Sequence, residues 1–123
     1  MRLGTSRQAG EGPRIGTVRR PPRGVAKSEF ARQDWYDVWY PLLSPSPAAL
    51  KLGLHADTGA KWAAFVRKFR SEMNAPDASR TLDLLAALSH HANFSVGCYC
   101  EHESRCHRSV LRSLLEDRGA KIV

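Results

Sequence analysis

Phe94-Ser95-Val96-Gly97-Cys98-Tyr99-Cys100-Glu101-His102-Glu103-Ser104-Arg105-Cys106-His107-Arg108-Ser109-Val110-Leu111-Arg112-Ser113-Leu114-Leu115 is the stretch that decides the fold. Phe94 to Cys100 alternates as a strand does, with Val96, Cys98 and Cys100 on one face. Glu101 to Arg105 is a polar turn. Ser104 or Arg105 opens a helix that runs to about Arg118. Val110, Leu111, Leu114 and Leu115 recur at helical spacing and point inward. Gly119 is a suitable helix stop. A strand, a short turn and a helix form the repeating unit of an α/β domain.

Working outward, similar units precede it. Arg14-Ile15-Gly16-Thr17-Val18-Arg19 is a β-type run, and Trp35 to Pro41 is a second extended segment. Its aromatics are expected to anchor the core rather than to stack bases. Ser46 caps a short helix from Ala48 to Leu54, with Pro47 at its start. Asp57 or Thr58 caps a helix to about Met73, with Trp62, Phe65, Val66, Phe69 and Met73 as its apolar stripe. Asn74 to Asp77 breaks it. Ser79 is expected to cap a third helix from Arg80 to about His91, and Lys121 to Val123 a short final strand. Helices alternating with strands predict an α/β fold with a mainly parallel sheet of three to four strands flanked by helices. The domain spans residues 14–123. Met1 to Pro13 has no apolar core of the kind a secretory signal needs, and is expected to be a flexible arm.

A chain of 123 residues with 42% hydrophobic content supplies one core. No run approaches the roughly 18 apolar residues of a membrane span. Three cysteines without a signal point to free thiols in the cytoplasm rather than a disulfide scaffold. The net charge of +7 invites an anionic partner. Arg14, Arg19, Arg20, Arg23 and Lys27 carry five cations over a stretch with no acid. Pro21 and Pro22 keep that stretch out of helix and sheet, so its arginines are displayed on a loop. In parallel sheets ligands bind beyond the carboxyl ends of the strands. The Arg19 to Arg23 loop and the Cys100 to Arg108 turn both belong there.

Four readings compete for Cys98, Cys100, Glu101, Cys106, His107 and Arg108. The favoured one is an anion site. A helix start offers unpaired N–H groups and partial positive charge, His107 and Arg108 lie in its first turn, and Arg19, Arg20 and Arg23 close from the other side. The second is a reactive thiol, Cys100 or Cys106, with Glu101 as acid or base. The spacing is not that of a Cys-x5-Arg phosphatase loop, because Cys106 stands where the arginine would be. The third is zinc, disfavoured because Cys-x-Cys and an adjacent Cys-His pair are poor ligand spacings. No metal and no cofactor is therefore expected. The fourth is purely structural, with buried cysteines and a Glu101–Arg108 pair fixing the turn.

The run Cys100-Glu101, then Cys106-His107-Arg108 and Leu111, resembles the signature of the domain of unknown function 488 family, small, mostly bacterial proteins that include the YeaO-like form. Arg14 to Val25, Trp35 to Trp39, Leu43 to Ser46 and the Trp62 to Met73 helix extend the resemblance over about Arg14 to Val123. It implies an α/β fold and places shared positions at Arg19, Cys100, Glu101, Cys106, His107 and Arg108. It implies no particular reaction. Where the YeaO-like form has an Asp-Arg pair, this chain has Arg19-Arg20, so no carboxylate chemistry is implied there. The functional expectation is a cytoplasmic protein with a pocket for a phosphate-bearing or other anionic small molecule, with enzyme chemistry within reach. The competing expectation is a nucleic-acid-binding or interaction module using the basic surface.

Overall fold

β1 (Arg14–Gly16) lies between two short parallel neighbours. β2 (Val38–Trp39) pairs with it on one side and β3 (Ser95–Gly97) on the other, giving the order β2-β1-β3. The register sets Ile15 opposite Val38 and Val96. This computed structural model describes residues 1–100 and 106–123. The expected turn over Glu101 to Arg105 lies outside the described residues; the helix expected to open at Ser104 or Arg105 begins instead at His107, because Cys106 before it is extended.

Four helices accompany the sheet among the described residues: α1 (Pro47–Leu54), α2 (Gly59–Met73), α3 (Pro76–Leu88) and α4 (His107–Asp117). The fold is α/β, as the alternation predicts. Side chains on a strand alternate between faces, and β1 shows it. Ile15 packs with the larger core, built from Phe65, Phe69, Leu82, Leu111 and their neighbours on the helices. Gly16 turns the other way, where a Cβ would stand 2.6 Å from the Tyr36 ring. Tyr36 belongs to a smaller core with Leu3, Val18, Cys98 and Cys106. The stretch that carries the chemistry is therefore anchored in the smaller core.

Local signals work where both partners are close in sequence. Ser46 caps α1 by accepting from the Ala49 N–H, and Thr58 caps α2 by accepting from the Lys61 N–H. The third helix corrects the expected start at Arg80. Pro76 has a ring that presets the helical φ and lacks an N–H that the first turn would leave unused. It stands at the first position of α3, with Ala75 extended before it. Pro76 both ends one helix and begins the next.

Two terminal expectations also change. Met1 to Leu3, within the segment expected as a flexible arm, lie beside β3. Leu3 N–H donates to Cys98 O at 2.8 Å, Cys98 N–H to Met1 O at 3.2 Å, and the terminal amine to Val96 O at 2.9 Å. β3 would otherwise expose an unpaired edge. Gly97 permits the approach, since a Cβ there would meet the Met1 backbone oxygen at 2.9 Å. Arg7 then ties the segment to Asp34 and Asp37. Lys121 to Val123 forms no strand. The Lys121 N–H donates instead to Ser89 Oγ at 2.8 Å, beyond the end of α3.

Candidate functional site

After β3 the chain bends at Tyr99, and the Cys100 N–H donates to Cys98 Sγ at 3.3 Å. α4 brings Cys106 back to the same place, with Cys98 Sγ and Cys106 Sγ at 2.7 Å. All three sulfurs lie within 4.8 Å of one another. Cys98 and Cys106 are buried and Cys100 is exposed. All three thiols are pushed above their ordinary pKa. Contact with the Cys100 thiol is the main cause at Cys98, and contact with the Cys106 thiol at Cys100. At Cys106 contact with Cys100 pulls down, and contact with Cys98 and burial outweigh it.

Cys106 is the cap of α4, in extended conformation, and its side chain makes no regular cap hydrogen bond, although the Arg108 N–H lies close enough to its thiol to pull the pKa down. The helix start therefore keeps amide donors that no side chain of the cap satisfies. His107 follows and is buried. Its Nε2 lies 2.7 Å from Thr17 O and 3.1 Å from Thr17 Oγ1. The carbonyl can only accept, so Nε2 carries the proton, and Nδ1 faces Cys106 Sγ at 3.5 Å. Burial pushes the His107 pKa down to about 4. The ring is neutral at physiological pH, locks α4 to the end of β1 and stacks edge-on against Phe69. Positive charge at this helix start comes from Arg108.

Arg108 is 5% exposed. Its Nη2 donates to Cys100 O at 2.9 Å, and its Nε has no partner. It also lines a cleft of about 770 Å³ whose walls include Arg112, His90, His91, Lys121 and Glu11. Sequence reasoning did not find Arg112, although it sits four residues after Arg108 and so on the same helix face. Thr17 was missed too, since nothing local marks a strand-end threonine as the partner of a histidine 90 residues away.

The expected arginine loop divides. Arg19 donates to Pro45 O at 3.1 and 3.0 Å and to Ser44 O at 3.2 Å, holding the chain before α1. Arg20 and Arg23 are exposed. The loop touches the site region through Tyr99, whose hydroxyl donates to Arg20 O at 2.9 Å. Arg19, Arg20 and Arg23 are not in the cleft wall that contains Arg108. Glu101 lies outside the described residues.

A family model described as DUF488-N3a, the active DUF488-N3 subclade, matches residues 1–119. The chain belongs to the DUF488 family. The match includes residues 1–13, the segment whose Met1 to Leu3 lie beside β3. No curated protein and no solved structure matches the chain.

Proposed function

We propose that this DUF488 protein binds a phosphate-bearing or otherwise anionic small molecule at the first turn of α4, in the cleft lined by Arg108 and Arg112, and acts on it as a cytoplasmic enzyme. The observation that carries this is Arg108. Burying a guanidinium with an unpaired N–H costs free energy unless a partner arrives. An anion against Nε would supply that partner, and the uncapped helix start would add backbone donors. Arg112, His90, His91 and Lys121 give the cleft a basic wall. The description of the matching family as an active subclade supports chemistry beyond binding. The candidates for it are Cys100 and Cys106, which adjoin Arg108 but are not in the cleft wall, with Glu101 as the expected acid or base.

The test is thermal unfolding of the intact protein against inorganic phosphate, nucleotides and small carboxylates. At least one should raise the midpoint, and Arg108→Gln should abolish the rise while Arg23→Gln leaves it. If no member of the panel stabilises the parent protein, the reading fails.

Nucleic-acid binding is the second reading, supported by the exposed Arg20 and Arg23 on one loop and Lys27 at the short 3-10 helix that follows it. It requires affinity for an oligonucleotide that falls steeply with salt. A flat salt response, or no binding at low salt, removes it.

A further inference from the structure

The three thiols have a second use that the anion reading does not require. Their spacing along the chain looks poor for a metal, yet the bend at Tyr99 and the return of α4 collect the sulfurs within 4.8 Å of one another. Zinc bonded to thiolates at about 2.3 Å in a tetrahedron sets sulfurs about 3.8 Å apart. The cluster meets that size when Cys98 and Cys106 separate by about 1 Å. The surroundings also suit thiolates. The Cys100 N–H already donates to Cys98 Sγ. Arg108 sits against the Cys100 carbonyl with Nε unpaired.

We infer that Cys98, Cys100 and Cys106 form a three-thiolate zinc site. One Zn²⁺ displaces three thiol protons to solvent and forms three Zn–S bonds, and the resulting centre carries one net negative charge. The Arg108 guanidinium matches that charge in a buried setting where an uncompensated one would be costly. Three protein ligands leave the fourth tetrahedral position open, as in zinc sites that hold a water or a substrate atom. This inference stands apart from the anion reading, because metal content is measured without any anion.

The experiment uses the full chain, reduced and stripped of metal, titrated with zinc chloride and separately with cobalt(II) chloride. One metal per chain is expected by elemental analysis, with the ultraviolet thiolate-to-cobalt charge-transfer absorption and the intense visible bands of a tetrahedral site. Because Cys98 and Cys106 are buried, the deciding variant is Cys100→Ser, with circular dichroism of the metal-free protein showing that it folds. Cys100→Ser should weaken zinc binding by more than the roughly 10–100-fold that outer-sphere partners are worth, and Arg108→Gln by about tenfold. The inference is overturned if the reduced protein gives no charge-transfer band, or if Cys100→Ser binds zinc as the parent does. It is also overturned if only a His90→Ala, His91→Ala double variant loses the metal. A failed phosphate panel with an intact zinc site sinks only the anion reading, and the reverse result sinks only this one.

Discussion

Arg14 and Arg108 are both buried, at 1% and 5% exposure, and their surroundings differ. Arg14, at the start of β1, spends its guanidinium within the protein. Its Nε donates to Glu11 Oε1 at 2.5 Å, its Nη1 to Asp34 O at 2.5 Å, and its Nη2 to Glu11 Oε2 at 3.3 Å. The pairing holds Glu11 at a pKa of about 2, chiefly through the hydrogen bond from Arg14. Among the described residues Arg108 donates to the Cys100 carbonyl and lies against the Cys98 and Cys106 thiols, while its Nε is unpaired. A satisfied buried arginine is part of the frame. One with spare donors, beside a cleft and a thiol cluster, is available to something that arrives. Burial alone does not separate structural from functional arginines, and the donor inventory does.

The strongest test of this contrast is Arg14→Met. It leaves the Glu11 carboxylate, whose side chain is 11% exposed, without its ion partner. Removing one member of a buried pair should cost about 3–5 kcal/mol in urea unfolding at pH 7. A loss below 1 kcal/mol would erase the distinction.

The next largest effect is with pH. The folded-state pKa of His107 is depressed to about 4, from an ordinary 6.5. Between those values the unfolded chain binds the proton and the folded chain does not. Stability is therefore fully present above about pH 6.5 and is lost as the pH falls toward 4, by up to about 3 kcal/mol. The Glu11 contribution is lost separately, as the pH falls from 4.5 toward 2. Unfolding midpoints between pH 7 and 4.5 should decline in the parent and decline less in His107→Gln. Equal slopes would show that the ring is protonated in the folded state.

Arg108→Gln is the sharper counterpart of Arg14→Met. Losing one neutral-acceptor bond should cost about 1 kcal/mol, while the anion-induced stabilisation disappears. A cost equal to that of Arg14→Met would make Arg108 a structural residue. The smallest expected effect is Arg23→Gln, within about 0.5 kcal/mol of the parent, because the side chain is exposed. A large loss there would mean that the arginine loop is held in place as firmly as the frame.

The fold was legible where signals are local. Ser46 and Thr58 as caps, and the Phe65, Phe69, Met73 stripe, follow from spacing alone, since cap and stripe partners lie within a turn or two. Pro76 was misread because a proline after a helix signals both a stop and a start. The Gly- and Ser-rich composition of residues 1–13 says only that they form no element by themselves. It is silent on the β3 edge that accepts them. At the site, Cys106-His107-Arg108 as a helix start was legible. The anion clamp from Arg19 was not, because its donors go to carbonyls 25 and 26 residues away.

By itself the sequence determined the α/β class, most helix limits and the strand-to-helix setting of the cysteines after β3, because periodicity, capping and turn propensity act over a few residues. Only the tertiary structure decided which groups remain available. It placed Thr17 against His107, removed the ring's charge by burial, gathered three sulfurs that spacing had kept apart and left Arg108 with an unpaired donor. Each of those outcomes depends on contacts or burial that no local pattern encodes.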